Sequence, residues 1–548
     1  MTADLVASDK SQSAQATGKK FTVITFAPVQ GFIEKSRKLR DLYGASQILS
    51  YLSWKIVSYA QSKGFEVISP AIDIANIASA DIVQGMPNRI LIVGDFSDGD
   101  AHKALMEGWG EIISACREWL KDNLRSDFPE LVDGSGWSSS WTRWKVHAWE
   151  IFWGSGGTIE LTMRDLETRK LRRAWTVPNW NGESSSLSGA DAIAYPKMDI
   201  HENVGISRNA GQESEEIRKF YVKLSLALES SKQQDEPKFL DPSEKLSIPE
   251  LVKRLVTHYQ VVRNIPKFPR TERFSELLRK ENDDDKSQRG YWTGWFMADG
   301  DKVGNYLKSL SSSEEVNQFS QSLRDFGKKF KNQFDKKYGR VVYAGGDDFL
   351  GVMYGIRNGT ESEKQRKGSE AINWLMDFNK DWRSEGIGIS LSMGFVWAGH
   401  RVPQRDVLQH CREAEKRAKN LGEGERDRVT IRILFNNGQF LQWTTPWQYL
   451  QWLGAYRDRN NNSGKDANWS HVYTDLAQLK ARHAIPPVNA EKADDAIALH
   501  LFGLYFGTDK QEILSEQRGQ ITGGGDTKSV IEWIEGLIQV GWHLCSNS

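Results

Sequence analysis

The stretch Arg340–Gly355, RVVYAGGDDFLGVMYG, decides how the chain is read. Val341–Ala344 is an apolar, β-prone run, and Phe349–Tyr354 is a second one. Gly345-Gly346-Asp347-Asp348 joins them, which predicts a hairpin. Two adjacent carboxylates at a hairpin tip suit a divalent cation, and a cation held there can hold phosphates. The two glycines would leave room for a nucleotide close to the backbone. An ordinary Gly-Gly-Asp turn has the same composition, so the hairpin alone leaves both readings open.

A second acidic cluster favours the first reading. Trp292–Ala298 reads as a buried strand and runs into Asp299-Gly300-Asp301. An amphipathic helix is expected over Glu314–Lys336, then the hairpin. A helix over Ser362–Arg383, a strand over Ile389–Trp397, a helix over Arg405–Asn420 and a strand over Val429–Leu434 follow. This order is β-α-β-β-α-β plus one helix and strand: a ferredoxin-like sheet with helices on one face, of α+β class. In that topology the first and third strands are neighbours, so Asp299 and the Asp347-Asp348 turn fall at one sheet edge. The arrangement resembles the palm of nucleotidyl cyclases and polymerases.

The chain has 548 residues, enough for several domains. Lys plus Arg and Asp plus Glu both number 72, which argues against a free-standing nucleic-acid binder. Its three cysteines, Cys116, Cys411 and Cys545, are too scattered for a disulfide framework or a CxxC zinc pair. No signal core and no membrane-length apolar run occur, so a cytoplasmic chain without membrane partners is expected. The 21 tryptophans suit buried or subunit-facing surfaces, and the Trp-rich part after residue 438 is the expected contact for a small helical subunit.

From the N-terminus, residues 1–19 form a polar tail expected to be disordered. Residues 20–175 read as a first palm-like domain, 176–290 as a helical and irregular inter-palm segment, 291–437 as the second palm and 438–548 as a helical domain. The first palm opens with a strand, Phe21–Ala27. A helix follows over Phe32–Ser62, with a basic face (Lys35, Arg37, Lys38, Arg40) and an interruption at Asp41–Ser46; a solvated surface explains that face equally well. A strand-turn-strand is expected over Asp81–Asp95, and a strand over Lys145–Trp153. The order of the second palm is thus repeated without its acids. Pro28-Val29-Gln30 stands for Asp299-Gly300-Asp301, and Gly85-Met86-Pro87-Asn88 for Gly345-Gly346-Asp347-Asp348. The first copy is expected to be non-catalytic. Asp283-Asp284-Asp285 reads as a solvated linker rather than a cation site. Gly519–Lys528 reads as a loop, since it lacks the strand and Lys-Ser/Thr of a phosphate loop.

With these residues in hand, the chain resembles the large subunit of type III CRISPR effector complexes, in the Cmr (III-B) form. The resemblance lies in PVQGFIEKSRKLRDLYGASQILS, GMPNRILIV, ADGDKVG, YAGGDDFL and SMGFVWAGHRVPQRDVLQHCREAEKRAKN, in the family's order. It implies a target-RNA-activated nucleotidyltransferase making cyclic oligoadenylates from ATP. Asp299, Asp347 and Asp348, with the Gly300 carbonyl, would hold two Mg²⁺ or Mn²⁺ ions. Asp301 is either a ligand or a structural acceptor. Gly345 and Gly346 would clear space for nucleotide. Lys419 would reach a terminal phosphate or lie solvated, and Ser46 and Ser320 would touch ribose or base. Implied partners are the subunit capping the crRNA end, the backbone subunits, the small helical subunit, crRNA and target RNA. The family's nuclease domain carries an adjacent His-Asp pair; none of the ten histidines here precedes Asp, so no DNA cleavage is expected. The stretch Ser184–Gly189, where relatives carry a zinc-binding cysteine cluster, has no cysteine, so no zinc is expected. The alternatives are joining ATP to S-adenosylmethionine, a silent scaffold at the crRNA 5′ end, and a diguanylate cyclase.

Overall fold

The computed structural model describes residues 20–72, 85–172, 183–197, 210–230, 238–269, 292–310, 312–334, 339–354, 368–422, 424, 426–486 and 494–546. The N-terminal tail and the Asp283–Asp285 run lie outside them. The chain is α+β, with two sheets among the described residues. The first contains β1 (Phe21–Ala27), β2 (Glu66–Ser69), β3 (Ile90–Val93) and β4 (Glu150–Gly156) in the order β2-β3-β1-β4. The second contains β5 (Thr293–Gly300), β6 (Gly339–Gly345), β7 (Asp348–Met353), β8 (Leu391–Ala398), β9 (Arg428–Leu434) and β10 (Phe440–Pro446) in the order β10-β9-β8-β5-β7-β6. Its β8-β5-β7-β6 portion has the strand order of the first sheet, so the expected repeat exists at the level of topology.

Side chains alternate across the second sheet, as the pleat requires. Phe296, Phe349 and Phe395 point to one face, under the helices Ser313–Gln333 and Gly368–Ser384. There Phe326 meets Trp382 edge-on at 5.0 Å, and Phe330 meets Phe378 at 5.0 Å. Burying each of these rings contributes about 1.5–3 kcal/mol. Trp295, Leu350, Val352 and Val396 point to the other face. The expectation of helices on one face is therefore corrected. The Gln404–Asn420 helix, between the parallel pair β8 and β9, covers the second face with Val407, Leu408 and Cys411. Leu39, Leu42 and Tyr43 from the first half of the chain join it.

Other differences have local causes. The first helix breaks at Lys35–Lys38, not at Asp41–Ser46. Asp41 caps the start of the Leu39–Ser62 helix, accepting from the Lys38 N–H at 3.0 Å. Of the basic face, Arg37 is exposed and the other three side chains are engaged by the protein. Arg40 is buried against the Phe239 ring, Lys35 pairs with Asp191 and Lys38 with Glu244. β2 precedes the expected hairpin, and residues 135–147 are helical before β4 begins. One continuous core joins β1 residues such as Ile24 to Phe220 and Leu251, so packing shows no division at residue 175. β10, read as part of a Trp-rich helix, is the sixth strand of the second sheet, so a boundary at 437 would cut that sheet. Trp443, Trp447, Trp452, Trp469 and Trp533 are all buried in the C-terminal core, the first of the two uses expected for the tryptophans. Residues 518–522 are a helix turn rather than a loop, and Asp526 caps the final helix.

Candidate functional site: a carboxylate edge in an inter-palm cleft

The hairpin forms as its sequence dictates. β6 ends at Gly345, β7 starts at Asp348, and these two residues pair across the ladder. Gly346 has φ of 62°. A positive φ at only the first central position is what a type II′ turn needs, and glycine supplies it without strain. β5 and β7 are antiparallel neighbours with Asp299 directly opposite Asp348. The Gly300 N–H donates to the Asp347 carbonyl at 3.0 Å. A side chain on Gly300 would sit 2.8 Å from the Asp347 Cβ, so glycine is needed there for the turn to dock. Strand register thus brings Asp299, Gly300, Asp347 and Asp348 to one edge.

These acids are crowded. Enclosure by protein, then repulsion from Asp299, pushes Asp347 up to about 6. Enclosure, then Asp347 and Asp299, pushes Asp348 well above the ordinary carboxyl range. Asp348 is nevertheless an exposed residue and Asp347 a half-exposed one, so the enclosure is that of a wet cleft, and repulsion among the acids is the firmer cause. The Lys419 ammonium docks on Asp299 and, at 2.6 Å, on Glu415. Lys419 therefore neutralises the acid edge in this structure and does not lie solvated.

Among the described residues, no three His, Cys, Asp or Glu side chains close around one point tightly enough to hold an ion as they stand. The donor chemistry still fits a hard divalent cation: three crowded carboxylates and a backbone carbonyl, with a lysine as counter-ion. A pH effect follows. Between about pH 4 and 6 the folded chain holds a proton on Asp347 that the unfolded chain has released, so metal-free stability falls as pH rises through this window. Thermal unfolding in chelator at pH 4.5 and 7 checks this, and Asp347→Asn should reduce the difference.

The acid edge opens into a cleft of about 490 Å³ between the two sheets. Its second wall comes from the first half of the chain. Gly85 and Gly345 meet backbone to backbone; a Cβ on Gly345 would sit 2.0 Å from the Gly85 carbonyl oxygen. The side chain that Gly345 lacks therefore makes room for the other palm, and Gly345 and Gly346 both line the cleft. Ser320 lines the cleft, but its hydroxyl accepts from the Ala71 N–H at 3.0 Å and from Ser69 at 3.3 Å, tying the two halves together. Ser46 is buried within the Leu39–Ser62 helix and is not among the cleft-lining residues. Asp301 is 4% exposed, and its oxygens accept from Ser392, Ser390 and the Asp427 N–H at 2.8, 2.8 and 3.0 Å. These bonds hold the end of β5 in place.

Two domain signatures match the chain in order. Residues 21–125 match the N-terminal domain of CRISPR-associated protein Cmr2, and residues 292–430 match the second palm domain of Cas10/Cmr2. Both matches are to domains of the Cas10/Cmr2 family. No curated protein matches it in sequence. Among solved structures, the type III-B Cmr-beta assembly in its apo state contains a chain of 12% identity and TM-score 0.50, over 95% of this chain and 82% of that one. A Csm1–Csm4 cassette in complex with AMPPNP gives 14% and 0.46, over 96% and 70%. Csm1 of T. onnurineus gives 15% and 0.43, over 96% and 70%. At these identities the likeness is one of fold. Four cations missed in sequence also line the cleft: Arg89, Lys302, Arg324 and Arg426. Lys302 lies inside the ADGDKVG motif and Arg89 directly follows the GMPN turn, so both were findable; Arg324 and Arg426 are brought in only by tertiary packing.

Proposed function

We propose that the chain is the catalytic large subunit of a type III-B RNA-guided effector complex, and that it converts ATP into cyclic oligoadenylates when target RNA is bound. The observation that carries this reading is the in-register pair Asp299–Asp348, with Asp347 beside it, opening onto a cleft walled by both palms. Asp299, Asp347, Asp348 and the Gly300 carbonyl would hold Mg²⁺ or Mn²⁺. Bound there, the metal lowers the pKa of an attacking ribose hydroxyl and offsets charge on the phosphates. Arg89, Lys302, Arg324 and Arg426 supply positive charge for a triphosphate. Leu307, Val316 and Phe319 give the same cleft an apolar wall suited to a purine. The first palm, without acids, contributes a wall and Arg89 rather than chemistry. The proposed partners are the crRNA, the target RNA and the other Cmr-type subunits, which bear most of the RNA contact, as the neutral chain suggests.

The test is mass spectrometry of products from the reconstituted complex with crRNA, complementary target RNA, ATP and Mg²⁺ or Mn²⁺. Target-dependent cyclic oligoadenylates are expected. An ATP–S-adenosylmethionine conjugate, formed only when S-adenosylmethionine is added, would replace the product assignment. A product from GTP alone would point to a diguanylate cyclase. No product under any condition would leave the chain a scaffold.

A further inference from the structure

Three consecutive residues beyond the Gln404–Asn420 helix reach three different parts of the molecule. Arg426 lines the cleft. The Asp427 N–H donates to Asp301 at 3.0 Å, at the end of the strand that carries Asp299. The Asp427 carboxylate pairs with Arg383 at 2.6 Å. Arg428 is 1% exposed, and its guanidinium donates to the carbonyls of Gln520 and, at 2.9 Å, Ile521 in the C-terminal bundle. Asp427 has φ of 63°, a region that favours glycine, so its partners rather than its own preference hold the run in shape. A second anchor precedes Arg426. Gly422 and Gly523 pack together, and a Cβ on Gly523 would lie 2.5 Å from Leu421 Cγ.

We propose that the C-terminal helical bundle sets the nucleotide affinity of the cleft through this run. Arg428 and the Leu421–Gly523 contact are positioning residues, and Arg426 is the group they position. Both anchors belong to one short segment, so moving either shifts the residue between them. A buried guanidinium held by two carbonyls has a fixed fork geometry and little freedom to absorb such a shift. The inference rests on reading the cleft as a nucleoside triphosphate site, and it adds a control surface about which that reading is silent.

The test compares the full chain with Gly523→Ala, Arg426→Gln and the double variant. AMPPNP affinity is measured by calorimetry, and hydrogen exchange at the Asp427 amide is measured without nucleotide. Arg426→Gln is expected to weaken AMPPNP about tenfold, the range for one charge-assisted hydrogen bond. Gly523→Ala is expected to weaken it about threefold to tenfold, with no further loss in the Arg426→Gln background. It is also expected to speed Asp427 exchange by more than its fall in melting temperature accounts for. Equal losses in both backgrounds, or unchanged Asp427 exchange, would overturn the coupling. If Gly523→Ala does not fold, Arg428→Lys takes its place, keeping the charge while losing the two-carbonyl grip. Failure of the unaltered chain to bind AMPPNP overturns the reading of the cleft, and shows separately from a failure of the exchange measurement.

Discussion

Replacing Asp347 and Asp348 together by alanine is expected to remove target-dependent nucleotide product while leaving the metal-free chain as stable as before, or more so. The two effects have one cause. In the resting chain the carboxylates of Asp347, Asp348 and Asp299 repel one another, and Lys419 offsets only part of that repulsion. Removing two acids relieves it. The same removal takes away two of the three carboxylates that would hold the cation, and a loss on the order of 10²–10³ or more in rate is expected. Product yield and the melting temperature in chelator check the two arms. A variant that loses both activity and stability would show that these acids hold the hairpin together rather than serve chemistry.

The largest loss of stability is expected from Arg254→Ala. Arg254 is fully buried and donates to both oxygens of Asp41, with Nη2 to Oδ2 at 2.9 Å. It also reaches Glu244 at 3.2 Å and the Phe239 carbonyl at 2.6 Å. Burial alone would push the Asp41 carboxyl up, but Arg254 holds it below the ordinary range. Removing the guanidinium strands a buried carboxylate, which costs about 3–5 kcal/mol. Asp41 also accepts from the Lys38 N–H at the start of the Leu39–Ser62 helix, so the damage reaches the helix whose first turn packs against the second sheet. The denaturant midpoint of Arg254→Ala measures the loss. Arg254→Met combined with Asp41→Leu should recover much of it, because neither charge is then left unpaired.

The second palm was legible because its strands are short apolar runs with distinct ends and its acids fall at those ends. β5, β7 and β8 stand within a residue or two of expectation, and the ferredoxin order placed Asp299 beside the turn. The failures share a different cause. β10 begins FLQWTT, where aromatic content without clear alternation reads equally as helix or strand, and only pairing with β9 decides it. β2 has four residues, too few for a periodic signal. The basic face of the first helix could not be told from a solvated one because the partners of Lys35, Arg40 and Lys38, which are Asp191, Phe239 and Glu244, lie well over a hundred residues away. Gly345 was read as clearance for a ligand, yet its neighbour is another glycine turn 260 positions earlier, which no local pattern reveals. Ser46 and Ser320 illustrate the same limit: a hydroxyl's role depends on what faces it.

The Gly85–Gly345 contact has a kinetic consequence. Where two separate copies of a chain form a cleft between them, the working site assembles by association and is lost on dilution. Here both walls belong to one polypeptide, so the effective concentration of one for the other is fixed by the chain between them. Dilution should not separate the two walls. A signal that regulates this cleft has to change how the halves fit, because they have already met.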